Sequence, residues 1–125
     1  MPSQMYRLGI DLDKKCQWEL LMRYFNLKDA FPKEDIVVYE TRRGYHLVLP
    51  NVKTDLELRQ IFGDDVMRIE FEEKRSKLHN REPQDILFHQ KRTMKKGKAI
   101  FSYIREQVDI MSEPFWTTGA GCLLK

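Results

Sequence analysis

Leu8-Gly9-Ile10-Asp11-Leu12-Asp13 is a short apolar segment that ends in two carboxylates, and its reading decides the fold. As a β-strand, its period of two sends Leu8, Ile10 and Leu12 to one face and Gly9, Asp11 and Asp13 to the other. Like charges at i and i+2 on one face lie roughly 6.5–7 Å apart at their Cα atoms and repel, so a metal ion or a basic partner has to compensate them. The structural alternative is a fraying strand end, with Asp13 capping the helix that follows.

Working outward, the period changes after Asp13. Cys16, Trp18, Leu20, Leu21, Tyr24, Phe25 and Leu27 recur at helical spacing, which predicts an amphipathic helix over residues 15–27, with Pro32 closing the connection. Ile36-Val37-Val38-Tyr39 and Tyr45-His46-Leu47-Val48-Leu49 are β-branched or aromatic runs on either side of Thr41-Arg42-Arg43-Gly44; they read as a hairpin that ends at Pro50-Asn51. Thr54-Asp55-Leu56-Glu57 has the form of a capping box with Thr54 at the N-cap, opening a helix that buries Leu58, Ile61 and Phe62 and stops at Gly63. Residues 67–73 then alternate as a fourth strand, with Ile69 and Phe71 inward and Arg68, Glu70 and Glu72 outward.

The order β-α-β-β-α-β is the split, ferredoxin-like or RRM-like plan: an antiparallel sheet in the order 4-1-3-2, with both helices on one face. A C-terminal extension follows. It comprises a short edge strand at Asp85-Ile86-Leu87-Phe88, a helix over residues 97–110 and an irregular tail over residues 114–125.

At 125 residues, 42% hydrophobic and 33% charged, the chain reads as a single domain over residues 1–125, too interrupted by charge for a membrane span. Met1-Pro2-Ser3-Gln4 leads into a strand rather than into a basic start and an apolar run, so a cytoplasmic location is expected. Cys16 and Cys122 lack metal-ligand spacing and are expected to be reduced and structural. The net charge of +3, from 22 basic and 19 acidic residues, says less than its distribution. Lys91, Arg92, Lys95, Lys96 and Lys98 fall in an acid-free stretch, and Arg42-Arg43 form a second cluster; the bland reading of both is a solvated loop, the functional one a phosphate contact.

On this plan the face away from the helices receives Asp11 and Asp13 from strand one, His46 and Val48 from strand three, and Glu70 and Glu72 from strand four. RRM-type sheets bind RNA through aromatics on that face. Aspartates there would repel phosphate unless a divalent cation intervened, and hard oxygen ligands suit Mg²⁺ or Mn²⁺, bound as a pair about 3.5–4 Å apart in polymerases and nucleases.

These residues resemble a known family. Leu8-Gly9-Ile10-Asp11-Leu12-Asp13 is similar to the hhhDhD motif of the archaeo-eukaryotic primase superfamily, Gly44-Tyr45-His46 to its small-x-His motif, and Ile69-Glu70-Phe71-Glu72 stands where its third acidic motif falls. The resemblance covers residues 5–92 and looks closest to the minimal primase-polymerase cores of archaeal plasmids and viruses. It implies template-directed nucleotidyl transfer, with Asp11, Asp13 and Glu72 (or Glu70) holding two metal ions and His46 and Lys91 contacting the nucleoside triphosphate. It also implies a DNA or RNA template and a helicase or another replication subunit as partner; the basic residues Arg42, Arg43, Lys95, Lys96 and Lys98 are, by their charge, the candidate contacts to that template. Three alternatives remain open from the residues themselves: a non-catalytic nucleic-acid-binding protein of the same fold, a metal-dependent nuclease, and an interaction or regulatory module whose acidic face is accidental.

Overall fold

In the computed structural model, which describes residues 6–87, 90–103 and 105–109, strand β1 spans Arg7–Leu12 and keeps the alternation its sequence demands. Leu8, Ile10 and Leu12 are buried, and Asp11 lies on the opposite side. The β2 (Val37–Thr41) and β3 (Tyr45–Lys53) strands form the expected hairpin. Its turn is closed by Thr41 N–H donating to Gly44 O at 2.9 Å and by Gly44 N–H donating to Thr41 Oγ1 at 2.9 Å. β3 runs past Pro50-Asn51: Leu8 pairs with Leu49 but Arg7 pairs with Lys53, so β3 carries extra residues there. Proline has no N–H for the ladder, and a bulge is where a strand tolerates it.

Helix α1 (Gln17–Ala30) is capped by Cys16, whose Sγ accepts from Glu19 N–H at 3.5 Å. Leu20 and Leu27 from α1 join Leu8, Ile10, Leu12, Val38, Tyr45, Leu47 and Leu49 in the core, with Tyr24 packed against them. Trp18 and Phe25 are each 49% exposed, so the buried stripe is narrower than the sequence suggests. Cys16 is disulfide-bonded, which corrects the expectation of a reduced thiol; the chain's other cysteine, Cys122, lies outside the described residues.

Helix α2 (Leu56–Ile61) starts one residue later than the capping box implies. Asp55 is its N-cap, accepting from Glu57 N–H at 2.8 Å and Leu58 N–H at 3.1 Å, while Thr54 is buried and its hydroxyl donates to Asp85. Leu58 and Phe62 pack on the core and Ile61 is exposed. Gly63, at φ +78°, ends the helix as expected.

The predicted fourth strand is instead helix α3 (Val66–Leu78), capped by Asp65, which accepts from Met67 N–H at 2.8 Å. Seven alternating residues fit a strand, but the longer run from Asp65 is rich in the helix formers Glu, Lys and Arg and carries a capping aspartate, and length and cap decide for helix. Its inner face is made of Arg68, Ile69, Glu72 and Ser76, at helical spacing, whereas Phe71 is half exposed.

The predicted helix over residues 97–110 is likewise replaced by strands. β4 (Gln90–Lys95) and β5 (Lys98–Tyr103) form a two-stranded hairpin, and β6 (Arg105–Val108) pairs antiparallel with β2. β-branched and aromatic residues such as Ile100, Phe101 and Tyr103 favour that outcome. Residues 85–87 carry no regular structure, and Phe88 and the tail over residues 114–125 lie outside the described residues.

The fold is therefore α+β, the described residues forming three helices, a four-stranded antiparallel sheet in the order β1-β3-β2-β6 and the separate β4-β5 hairpin. The inner order 1-3-2 is the one expected. The fourth strand stands beside β2 rather than beside β1, so the ferredoxin-like order 4-1-3-2 is not the one found. Among the described residues no helix is long and apolar enough to cross a membrane.

Candidate functional site on the β1–β3 face

Cross-strand register sets a polar row across the sheet. Asp11 pairs with His46, His46 with Tyr39, and Tyr39 with Gln107, so residues of all four strands meet on the face opposite the core. His46 Nε2 lies 3.5 Å from Asp11 Oδ1, with the imidazole buried and the Asp11 carboxylate partly accessible. Gly44 makes this pairing possible. A Cβ at residue 44 would fall on the Leu12 carbonyl oxygen and 2.6 Å from Lys14 N, so only glycine lets the end of β1 lie against the turn two residues before His46.

Asp13 follows β1 and is exposed at this same end, beside Lys14, Lys15 and the turn bearing the exposed Arg42 and Arg43. Lys15 Nζ is 3.1 Å from Glu40 and 5.1 Å from the centre of the Tyr45 ring. This end of the sheet therefore presents both acids and bases.

The outer edge of β1, where a fourth strand was expected, is satisfied by side chains. Asp11 N–H donates to Asp64 Oδ1 at 2.7 Å, and Gly9 N–H donates to Asp85 Oδ2 at 2.6 Å. Alternate N–H groups of an edge strand point outward, and here two carboxylates stand in for the missing ladder. Arg59 Nε is 2.7 Å from Asp64 Oδ2 and 3.8 Å from Asp85 Oδ2, and Arg68 bonds to both aspartates and to Gly9 O. Two arginines and two aspartates thus form one buried cluster, with Arg59 1% exposed. Burial opposes the Arg68 charge, but Asp64 and Asp85 outweigh it and hold its pKa above the ordinary value. Gly9 lies close against this cluster: a Cβ there would come within 2.6 Å of Leu87 Cδ1 and 3.0 Å of Asp85 Oδ1, so the Leu87 side chain would have to shift.

Burial pushes the Asp11 carboxyl up to about 6; Arg68 pulls it down, and Asp64, Asp65 and Asp13 push it further up. A carboxylate desolvated among other acids is a place where added positive charge is favourable.

The structure pairs Asp11 with His46 and places Asp13 and the turn bearing Arg42 and Arg43 at the same end of the β1–β3 pair, and it puts the other predicted residues on different elements. Glu70 and Glu72 lie on α3 rather than on a sheet strand: Glu70 is exposed, and Glu72 is buried with its carboxylate accepting from Arg81 at 2.7 Å and Gln84 N–H at 2.8 Å. Among the described residues no group of three His, Cys, Asp or Glu side chains is placed to hold a metal ion. Lys91 and Lys95 lie on β4 and Lys98 opens β5, with Lys96 exposed in the turn between them. The Arg59-Asp64-Arg68-Asp85 cluster was missed. Its signal, Asp64 four residues before Arg68, reads as an ordinary helix pair until the fold supplies Arg59 and Asp85.

Comparison of the chain with protein families, with curated proteins and with solved structures finds no match.

Proposed function

We propose that the Asp11–His46 face binds a nucleoside triphosphate and serves template-directed nucleotidyl transfer, as in the primase-polymerases its motifs resemble. The observation that carries this reading is the cross-strand pairing of Asp11 with His46, 3.5 Å apart, at the sheet end where Asp13, Arg42 and Arg43 also lie. An imidazole and guanidinium groups suit triphosphate oxygens, and the acids suit a hard cation.

One Mg²⁺ or Mn²⁺ shared with the nucleotide would suit this face, since such ions are commonly held by one or two carboxylates plus substrate phosphates. Asp11 and Asp13 are the two carboxylates. When bound, the ion would neutralise phosphate charge and polarise the phosphoryl group under attack. A resident metal pair does not fit the described residues, because Glu70 and Glu72 lie on α3 and no third ligand joins the aspartates. His46 would hold the triphosphate, Arg42 and Arg43 would guide the template, and a helicase or another replication subunit would supply the strand.

A fluorescent nucleoside triphosphate titrated with and without Mn²⁺ tests the reading. Nucleotide and ion should bind together and weakly apart, and Asp13→Asn should lower nucleotide affinity at least about tenfold without lowering Tm. Unchanged affinity in that variant overturns it. The non-catalytic nucleic-acid-binding reading gains from the placement of Glu70 and Glu72 on a helix, and nucleotide binding without primer extension would favour it.

A further inference from the structure

The β4-β5 hairpin forms its own two-stranded sheet. It shares no ladder with the four-stranded sheet, and a lone two-stranded ribbon is marginally stable in water. Its turn is Lys96-Gly97, with φ of +52° and +75°, the pair of positive values that a type I′ turn requires. Lysine is a poor residue for the first of these positions, where asparagine is preferred. The register also sets Lys95 directly opposite Lys98, and like charges facing each other across a ladder repel. The tip stands clear of the rest of the molecule: Lys96 and Gly97 are exposed, and a Cβ on Gly97 would meet nothing within 4 Å. Residues 86–105 contain no acid and hold Lys91, Arg92, Lys95, Lys96, Lys98 and Arg105. The Lys95–Lys98 register within an acid-free basic stretch opposes the free hairpin electrostatically, and an anion at its tip would relieve that repulsion.

We infer that the hairpin is a basic ribbon that docks into the groove of a nucleic-acid duplex. A two-stranded ribbon has the width that the major groove admits. Lys91 and Lys95, four residues apart on β4, are separated by roughly 13 Å along the strand, close to the roughly 12 Å groove between phosphate walls. Binding of single strands relies on aromatic stacking platforms, and the tip segment Lys95-Lys96-Gly97-Lys98 contains no aromatic residue. The inference rests on the nucleic-acid partner of the proposed function, and it places that partner's double-stranded part on the hairpin, apart from the nucleotide site.

Fluorescence anisotropy with a labelled 16-base-pair DNA duplex, and with one of its strands alone, across a salt series tests this on the full chain. The variant is Lys95→Ala/Lys96→Asn/Lys98→Ala, in which asparagine favours the type I′ turn, so a loss of binding cannot be a loss of the turn. Wild type should bind the duplex at least about tenfold tighter than the single strand. The variant should lose that preference, and its slope of log K against log salt should shrink by about 0.9 for each phosphate contact removed. Equal duplex affinity in wild type and variant overturns the inference, as does equal affinity for polyglutamate, which would mark an unspecific polyanion surface. Loss of duplex binding with Mn²⁺-dependent nucleotide binding intact leaves the proposed function standing, whereas loss of nucleotide binding in Asp13→Asn with duplex binding intact leaves the hairpin standing.

Discussion

At the scale of single residues, Asp11 is held at a cost to the fold. A folded pKa of about 6 against an ordinary 3.8 means that the native state holds the proton more tightly than the unfolded chain. Protonated Asp11 therefore favours the fold; that contribution is fully present below pH 3.8 and is lost as pH rises through about 6. The difference corresponds to at most about 3 kcal/mol, and to about 2 kcal/mol once solvent screening of the partly exposed carboxylate is allowed for. Asp11→Asn in the presence of a chelator should accordingly raise Tm at pH 7.5 by roughly 5–10 °C and change it little at pH 4. A lower Tm at pH 7.5 would mean that the contact with His46 outweighs desolvation. Gly44 makes the complementary case, because its role is steric: Gly44→Ala puts a methyl group on the Leu12 carbonyl and should cost about 1–3 kcal/mol or more, with nucleotide affinity falling as β1 parts from the turn. A chemical-denaturation curve and the nucleotide titration read the two effects separately. Both residues sit in the two motifs most legible in the sequence, and both are legible for the same reason: a strand's period of two and a turn's need for glycine are local rules.

At the scale of elements, the edge of β1 shows why other parts were not legible. The alternation of residues 67–73 reads as a strand because apolar residues occupy every second position, yet the face α3 buries is largely polar, with Arg68, Glu72 and Ser76 turned inward. A hydrophobic pattern cannot show a helix whose inner face is an ion network, and the Gly9 and Asp11 N–H groups that demand that network become visible only once β1 is known to be an edge. The same argument predicts the energetics. Asp64→Ala removes a carboxylate that serves Arg59, Arg68 and Asp11 N–H at once, leaving two buried guanidinium groups to share Asp85 and the Asp11 N–H without its acceptor, and should cost about 3–5 kcal/mol. Glu73→Ala, which breaks only the exposed pair with Lys77, should cost less than about 1 kcal/mol. Urea titrations of the two variants make the comparison, and equal losses would show the cluster to be no more than a set of surface pairs.

At the scale of the whole molecule, the chain divides its apolar burial unequally. Among the described side chains, β1, β2, β3 and α1 supply all nine residues of the buried core cluster, and among the described residues β4 and β5 pair with each other rather than with the four-stranded sheet. The hairpin was not legible as such, since Ile100, Phe101 and Tyr103 fit a helix face as well as a strand, and the positive φ of Lys96 has no signature in a lysine. Local opening free energies follow buried contacts and ladder neighbours, so the two sheets should open separately. Hydrogen exchange followed by mass spectrometry should find the amides of Leu8, Ile10, Leu12 and Leu47 slow, at the rate of global unfolding. The Gly9 and Asp11 amides should be almost as slow despite lying on an edge strand, because Asp85 and Asp64 accept from them. Residues 90–103 should exchange faster. Added DNA duplex should slow residues 90–103 alone, and added nucleotide with Mn²⁺ should slow the ends of β1 and β3 around Leu12 and Tyr45 alone. Two ligands protecting two separate segments would establish two independent sites; protection of both segments by either ligand would mean that hairpin and sheet open as one unit, and the division of labour drawn from the topology would fail.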